Sequence, residues 1–184
     1  MADEHSRESG KRIVRFSVAM SLDGYIAGPN GEADWIVMDP EIDFGAMFAR
    51  FDTLVMGRGT FEAMRAMGGG PAMPGVSVIV ISRTMSPGAH LGVTVATDVA
   101  AVIADLKHRS GKDIWLFGGG QLFRSCLELG LVDAVDVAVI PVLLGGGIPL
   151  LPAPGPRTRL TLRSRRVYEK SGIVALEYDV DRVK

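Results

Sequence analysis

Three short stretches of the chain place glycine, hydroxyl and arginine residues directly after apolar, strand-like runs. They read VMGRGTFEAM (55–64), VIVISRT (78–84) and WLFGGGQLF (115–123), and we call them the first, second and third corner. Glycine leaves backbone N–H groups uncovered, and the N-terminus of a following helix attracts negative charge. Arginine adds a planar guanidinium that holds phosphate through two hydrogen bonds. Each corner is therefore typical of a site that binds an anion.

Patterns of apolar residues predict that the corners follow strands of one sheet. Runs rich in β-branched residues indicate strands, and apolar residues at helical spacing indicate helices. The alternation of the two predicts an α/β fold, with a mostly parallel sheet between helices and an antiparallel hairpin at its C-terminal edge. The predicted elements are strands 13–20, 53–57, 76–82, 92–96, 113–117 and 132–144, a helix with Phe44, Met47, Phe48 and Phe51 on one face, a helix capped by Thr60, a helix 99–109 capped by Asp98, a helix 121–129, and a hairpin 160–180 that turns at Lys170–Gly172.

The composition is that of one globular domain. The chain has 184 residues, of which 47% are apolar and 22% are charged, so it can bury a core without a disulfide or a metal. We expect a disordered polar tail over 1–11 and a single domain over 12–184. The net charge of −1 gives no reason to expect nucleic acid or an anionic membrane surface as a partner.

Cysteine content and the polar N-terminus indicate a cytoplasmic protein. Cys126 is the one cysteine, and its place on the apolar side of a predicted helix favours the core over a reactive thiol. The first residues are polar and charged, unlike a signal peptide. An uncharged run over 137–156 holds several prolines and a glycine triplet, which favours a strand and a loop over a membrane span.

Three corners together suit a longer ligand than a single phosphate. Ligands of parallel sheets bind at the carboxyl ends of the strands, so an extended polyphosphate such as a dinucleotide fits. Two arginines near one end favour a 2′-phosphate, and hence NADPH over NADH. Taken singly, the glycines could serve only tight packing, and Arg58 and Arg83 could be solvated surface charges. The Rossmann fingerprint is not met, because Phe123 stands at its third glycine position.

The same motifs, in this order, resemble the dihydrofolate reductase-like superfamily, and more closely the reductase domain of bacterial riboflavin biosynthesis. The resemblance rests on AMSLDGYIAG after the first strand and on the three corners, and IPVLLGGGIPLL is similar to the riboflavin-type branch. It covers about residues 12–182. It implies a three-layer αβα fold, an oxidoreductase that uses NADPH, and a homodimer.

The resemblance also implies which residues meet the cofactor. The first strand and its loop would approach the nicotinamide, the first corner the phosphates with Arg58 near the 2′-phosphate, the second corner the adenosine end, and the third corner the pyrophosphate. The first two glycines of the third corner would be joined by a cis peptide bond. The implied set is Ala19, Ile26, Ala27, Gly57, Arg58, Gly59, Thr60, Ser82, Arg83, Phe117, Gly118, Gly119, Gly120, Gln121 and Leu122.

On the substrate side the chain departs from dihydrofolate reductases, which hold the pterin ring with one carboxylate early in the first helix. Asp39, Glu41 and Asp43 all lie in that neighbourhood. We expect Asp39 to face the substrate and take Asp43 as the second choice, although each could instead be an acid favoured by the helix start. The proton would come from water or from one of these carboxylates.

The long loop 21–35 carries two further candidates and would close over the site. Trp35 could wall the pocket or belong to the core. Asp23 could touch the substrate, hold the loop, or form the turn before Gly24.

Two functions fit these patterns. The first is an NADPH-dependent reductase of a small heterocycle, either a riboflavin precursor, as in 5-amino-6-(5-phosphoribosylamino)uracil reductases, or a pterin such as dihydrofolate. The second is a dimeric nucleotide-binding module without turnover. We expect no zinc deaminase activity, because that chemistry needs a P-C-x-x-C signature and one cysteine cannot supply it. Strand 132–144 is either the dimer interface or the centre of the sheet.

Overall fold

The structure is a computed structural model that describes residues 11–68, 75–88 and 92–181. Apart from Lys11, the predicted disordered tail lies outside the described residues. The elements in chain order are β1 Val14–Ser21, β2 Tyr25–Ala27, α1 Phe44–Ala49, β3 Phe51–Gly57, α2 Arg58–Ala66, β4 Ser77–Ile81, β5 Val93–Ala96, α3 Val99–His108, β6 Asp113–Gly118, α4 Gly120–Glu128, β7 Ala134–Ile140, β8 Ile148–Pro149, β9 Leu160–Tyr168 and β10 Ile173–Val180.

One large sheet organises the molecule, with its strands in the order β5-β4-β3-β6-β1-β7-β10-β9. The strands from β5 to β7 in this order run parallel. β10 is antiparallel to β7, and β9 is antiparallel to β10 in the predicted hairpin. The predicted mostly parallel α/β sheet with an antiparallel C-terminal edge is therefore confirmed.

Successive side chains of each strand point to opposite faces of the sheet, and helices cover both faces. On β3, Val55 packs in the core that α3 and α4 cover, whereas Leu54 and Met56 pack in the core beneath α2. Phe16 stacks on Phe123 of α4 with ring centroids 3.9 Å apart. The result is the predicted three-layer αβα arrangement.

Cys126 of α4 lies fully buried in the core that α3 and α4 cover. Burial raises the pKa of its thiol to about 12, so the thiolate that would make it a nucleophile does not form near neutral pH. The interpretation of Cys126 as a core residue is confirmed.

The uncharged run 137–156 contains the end of β7, an irregular segment and β8, as the prolines and glycines indicated. Within the ranges that the structure describes, no helix is long and apolar enough to cross a membrane.

Two helix boundaries differ from the prediction. α1 ends at Ala49, and Phe51 begins β3, where it stacks on Trp115 with centroids 4.9 Å apart instead of completing the helical face. In a short apolar segment, the spacing of the residues does not distinguish a buried strand residue from a residue in the last turn of an amphipathic helix. α2 begins at Arg58, so Gly57 and not Thr60 is its N-cap.

β7 ends at Ile140 instead of continuing to 144, because Pro141 has no N–H to donate to a neighbouring strand. β1 and β10 pair with its two edges. The alternative that this strand lies in the interior of the sheet is therefore confirmed, and the suggestion of a dimer interface stays a prediction.

A second, two-stranded sheet pairs β2 with β8, and the sequence did not predict it. Strands this short show no alternation of polar and apolar residues by which to recognise them. The pairing ties the loop after β1 to the segment that follows β7. The chain after β8 then packs on the start of α4, where Pro149 and Pro152 approach Gly120.

We expect Gly120→Ala to lower the free energy of unfolding by about 1–3 kcal/mol. A Cβ at this position would lie 2.6 Å from the carbonyl oxygen of Pro149 and 3.0 Å from Cδ of Pro152, so the segment packed on α4 must move. The matched control is Gly59→Ala, because a Cβ there meets nothing within 4 Å and alanine favours the helix. Urea unfolding measures both variants, and equal stability of the two would contradict the packing argument.

Candidate functional site

The three corners lie side by side at the carboxyl edge of the sheet. β4, β3 and β6 are neighbouring parallel strands, and Gly57 at the end of β3 is in register with Ile81 at the end of β4. A Cβ at Gly119 would lie 3.2 Å from Oγ1 of Thr60, so the first and third corners are adjacent. Stretches far apart in the chain thus form one continuous edge.

Two helices begin at this edge without a side-chain cap. The N-cap of α2 is Gly57 and that of α4 is Gly119, and glycine has no oxygen to accept from the first helical amides. α1 and α3 differ, because Asp43 and Asp98 accept those hydrogen bonds with their carboxylates. Two adjacent bare N-termini therefore present N–H groups and the positive ends of two helix dipoles to an anion.

Arg58, the first residue of α2, links the first corner to the second. Its Nη1 donates to Oγ1 of Thr84 over 2.8 Å, and its Nε lies 3.5 Å from Glu62 one turn along the helix. Half of the arginine side chain is exposed, so it has room to turn towards a ligand. Thr84 was not predicted as a site residue, because nothing in its spacing distinguishes it from a surface threonine.

The side chain of Ser82 stabilises the turn at the second corner through hydrogen bonds to the backbone. Its hydroxyl accepts from the backbone N–H of Thr84 over 3.2 Å and of Met85 over 3.0 Å, and the residue is buried. This turn leaves Arg83 exposed. Of the two predicted residues, Arg83 is the one whose side chain is placed to reach a ligand.

The third corner presents mainly backbone. The peptide bond between Gly118 and Gly119 is cis, as the resemblance implied. Leu122 is buried in the core with α3, and Phe117 packs in the core beneath α2, so the side chains of both belong to the interior. Gln121 is exposed at the start of α4.

A cavity of about 400 Å³, a volume typical of small-molecule sites, lies between the sheet and the segment 36–50. Because β1 borders β6, the cavity is next to the third corner. Two rows of side chains in register across β1, β7 and β10 form its floor, and we call them the alanine row and the polar row. The alanine row is Ala19, Ala138 and Ala175, and the polar row is Ser17, Asp136 and Glu177.

A buried arginine forms an ion pair with the central residue of the polar row. Arg15 of β1 is 1% exposed and donates from Nη1 to both carboxylate oxygens of Asp136, over 2.9 and 3.2 Å. Burial raises the pKa of Asp136, and the charge of Arg15 offsets this only in part. Arg50 lies 3.6 Å from Asp136 and donates to Glu177 over 3.1 Å. Although burial opposes ionisation, Arg50 and Arg163 hold the pKa of Glu177 below its usual value.

Of the three acids considered for the substrate, Asp43 is the one that lines the cavity, and it also caps α1. Asp39, which we expected to face the substrate, is not among the residues that line the cavity. Asp39 is 2% exposed, its Oδ1 accepts from the N–H of Glu41 over 2.8 Å, and a hydrogen bond from the Ser171 hydroxyl lowers its pKa. Glu41 pairs with Lys170 at 3.1 Å.

Asp23 holds its loop in place. Its Oδ1 accepts from the Ser21 hydroxyl over 2.6 Å and from the N–H of Leu144 over 3.1 Å, and its Oδ2 accepts from the N–H of Gly145 over 2.7 Å. The Ser21 hydrogen bond, with the two amides, keeps the pKa of Asp23 below its usual value. These contacts support the loop-holding alternative over contact with the substrate.

The remaining predicted residues of the first strand and its loop fall into two groups. Ala19 lines the cavity, whereas Ile26 and Ala27 lie half-buried on β2. Trp35 donates from Nε1 to a backbone carbonyl of its own loop over 3.1 Å and packs against the cluster around Tyr168. The structure therefore supports the core interpretation of Trp35.

The fold and these sites define an α/β protein with an anion-attracting edge beside a small-molecule cavity. Residues 12–174 match the RibD C-terminal domain, and the chain belongs to that family.

Relatives cover nearly the whole chain. It is 31% identical to the "Uncharacterized protein YyaP" of Bacillus subtilis, over 91% of this chain and 95% of that protein. A crystal structure of a "Putative riboflavin biosynthesis protein" from Shewanella sp. PV-4 has a TM-score of 0.77 and 30% identity, over 94% of this chain and 99% of that one. Dihydrofolate reductase from Enterococcus faecalis, complexed with NADP(H), has a TM-score of 0.66 and 20% identity, over 91% and 94% of the two chains. The dihydrofolate reductase-like fold is thus confirmed.

We expect Asp23→Asn to speed hydrogen exchange at the amides of Leu144 and Gly145, because the Nδ2 group donates and cannot accept from Gly145. The control is Asp34→Asn, an exposed acid of the same loop. Since the pKa of Asp23 is lowered in the folded protein, the tether is present at neutral pH and is lost as the pH falls through that lowered pKa. The difference between wild type and variant should therefore vanish in strong acid. Equal exchange at neutral pH would argue against the tether.

Proposed function

We propose that this protein is an NADPH-dependent reductase that transfers a hydride to a small planar heterocycle. One observation carries the proposal: α2 and α4, both with glycine N-caps, begin next to each other at the sheet edge, with Arg58 at the first position of α2. Several N–H groups and a guanidinium that face one place suit the phosphates of a dinucleotide. The similar dihydrofolate reductase of Enterococcus faecalis is complexed with NADP(H).

In this proposal each part of the carboxyl edge of the sheet binds a different group of the dinucleotide. The N–H groups at the starts of α2 and α4 hold the phosphates, and Arg58 and Arg83 provide positive charge for the 2′-phosphate. Ala19 meets the nicotinamide, because its small side chain on β1 leaves space where the cavity approaches the third corner. The bound NADPH supplies the hydride, and the protein orients the substrate beside it and excludes water.

The shape and lining of the cavity suit a planar substrate that has polar groups along one edge of its ring. The alanine row offers a smooth apolar surface, and the acids of the polar row offer acceptors to N–H groups along one edge of a ring. Pyrimidine precursors of riboflavin and pterins such as dihydrofolate both have such an edge. The likeness to the Shewanella protein favours the pyrimidine. Water or Asp43 provides the proton.

We also propose a homodimer, as the resemblance implies. Both edges of β7 are already paired, so we do not expect the interface to extend the sheet at this strand. Sedimentation of the purified chain measures its mass in solution, and a monomer at micromolar concentration would contradict the proposal.

The proposed activity is tested by titration with NADPH and NADH, followed by the absorbance of the reduced nicotinamide in the presence of candidate heterocycles. Tighter binding of NADPH, with its oxidation by a pyrimidine or a pterin, supports the proposal. Binding without turnover on any heterocycle favours the alternative, a nucleotide-binding module. Failure to bind either nucleotide would overturn both.

We expect Arg58→Ala to weaken NADPH binding about tenfold or more and NADH binding much less, because a charge-assisted contact with the 2′-phosphate is lost. Arg109→Ala is the control. Arg109 is an exposed arginine with a comparable partner one turn away, Asp105, but it follows α3 at the opposite end of the sheet. Isothermal titration gives the four affinities. An equal loss for NADPH and NADH would show that Arg58 does not distinguish the two nucleotides.

A further inference from the structure

Two side chains of the protein already contact the guanidinium of Arg58. Thr84 accepts a hydrogen bond from Nη1 over 2.8 Å, and Oε1 of Glu62 lies 3.5 Å from Nε. Nη2 has no hydrogen-bond partner among the described residues. A guanidinium can hold an oxyanion with a pair of N–H groups on either of two edges, Nε with Nη2 or Nη1 with Nη2. The threonine therefore contacts one edge and the glutamate the other.

The turn at the second corner fixes the position of Thr84. Its backbone N–H donates to the buried hydroxyl of Ser82 over 3.2 Å, directly after β4 ends. A hydroxyl held in this way gives Nη1 of Arg58 a stationary acceptor. With Nη1 on Thr84, the edge formed by Nε and Nη2 is the one left for an anion.

Glu62 lies at that remaining edge. It follows Arg58 by one turn of α2, and the side chains of the two residues are 61% and 50% exposed. Their contact at 3.5 Å is an ion pair without a short hydrogen bond. An exposed pair of this kind contributes little to stability, so a phosphate with its larger negative charge can replace the carboxylate.

Arg83 of the second corner lacks such a counter-charge. It is exposed, and no carboxylate of the described ranges lies within ion-pair distance of it. Glu62 therefore neutralises one of the two arginines that we propose for the 2′-phosphate and leaves the other unchanged. Since NADPH and NADH share the pyrophosphate and differ in the 2′-phosphate, a counter-charge on Arg58 acts on the difference between them.

We propose that Glu62 competes with the 2′-phosphate of the nucleotide for Arg58 and thereby limits the preference for NADPH over NADH, while Thr84 is the residue that positions the guanidinium. The inference rests on the proposed function, because it takes Arg58 as the contact of the 2′-phosphate. When NADPH binds, the phosphate takes the edge formed by Nε and Nη2, the carboxylate of Glu62 turns into solvent, and Nη1 stays on Thr84. NADH requires no such exchange.

The first test removes the competing charge. Isothermal titration measures the binding of NADPH and NADH to wild type, Glu62→Gln and the matched control Glu128→Gln. Glu128 also lies one turn from an arginine, 3.6 Å from Arg124, but at the far end of the other helix with a glycine N-cap. We expect Glu62→Gln to tighten NADPH binding about threefold and to leave NADH binding unchanged, and Glu128→Gln to alter neither. Because salt screens exposed charges, the gain should shrink at about 1 M salt.

The second test concerns the positioning residue. Thr84→Val should weaken NADPH binding about threefold and leave NADH binding unchanged, because Nη1 of Arg58 loses its acceptor. Thr84→Ser keeps the hydroxyl and should restore the affinity of wild type. A merely structural role of Thr84 would instead lower the affinities for both nucleotides by the same factor.

The inference is overturned if wild type prefers NADPH but Glu62→Gln leaves that affinity unchanged, or tightens both nucleotides equally. Equal NADPH binding by Thr84→Val and Thr84→Ser would overturn the positioning role. A protein that shows the expected affinities but transfers no hydride to any heterocycle would overturn the proposed reductase and leave this inference in place. Binding of neither nucleotide to wild type would overturn both.

Discussion

The parallel alignment of β4, β3 and β6 is the constraint on which the candidate site depends. Because the three strands run in one direction, their carboxyl ends and the helices that follow two of them meet at one edge. Glycine at both N-caps, Gly57 and Gly119, leaves helical amides without an internal acceptor. Those amides are therefore available to an external anion, and the same glycines leave the backbone open to close approach.

The cavity beside this edge depends on a different arrangement, a charged pair buried in the middle of the sheet. Arg15 and Asp136 lie on neighbouring central strands, where desolvation of either ion alone would be costly. Their mutual hydrogen bonds reduce that cost, and Arg50 and Glu177 extend the pair towards the cavity. One end of the cavity is therefore polar yet nearly neutral, while the alanine row keeps the adjoining surface flat.

Much of the fold and of the anion-binding edge could be predicted from local patterns. The β-branched runs, the cap at Asp98 and the turn before Ile173 depend on neighbours in the sequence and appear in the structure as expected. The substrate side could not be predicted in this way. Asp39 is buried away from the cavity, and Asp23 accepts from amides of the segment after β7. No local pattern shows which carboxylates the folded chain has already used.

The sequence alone determined the order of strands and helices, the three corners and the glycines that leave their backbone bare, because each is set by residues close together in the chain. Tertiary structure decided which side chains share a surface. The alanine row joins residues from β1, β7 and β10 through strand register, and the register with β9 adds Arg166 to its end. Register is fixed by hydrogen bonds between strands distant in the chain, so that row exists only in the folded sheet.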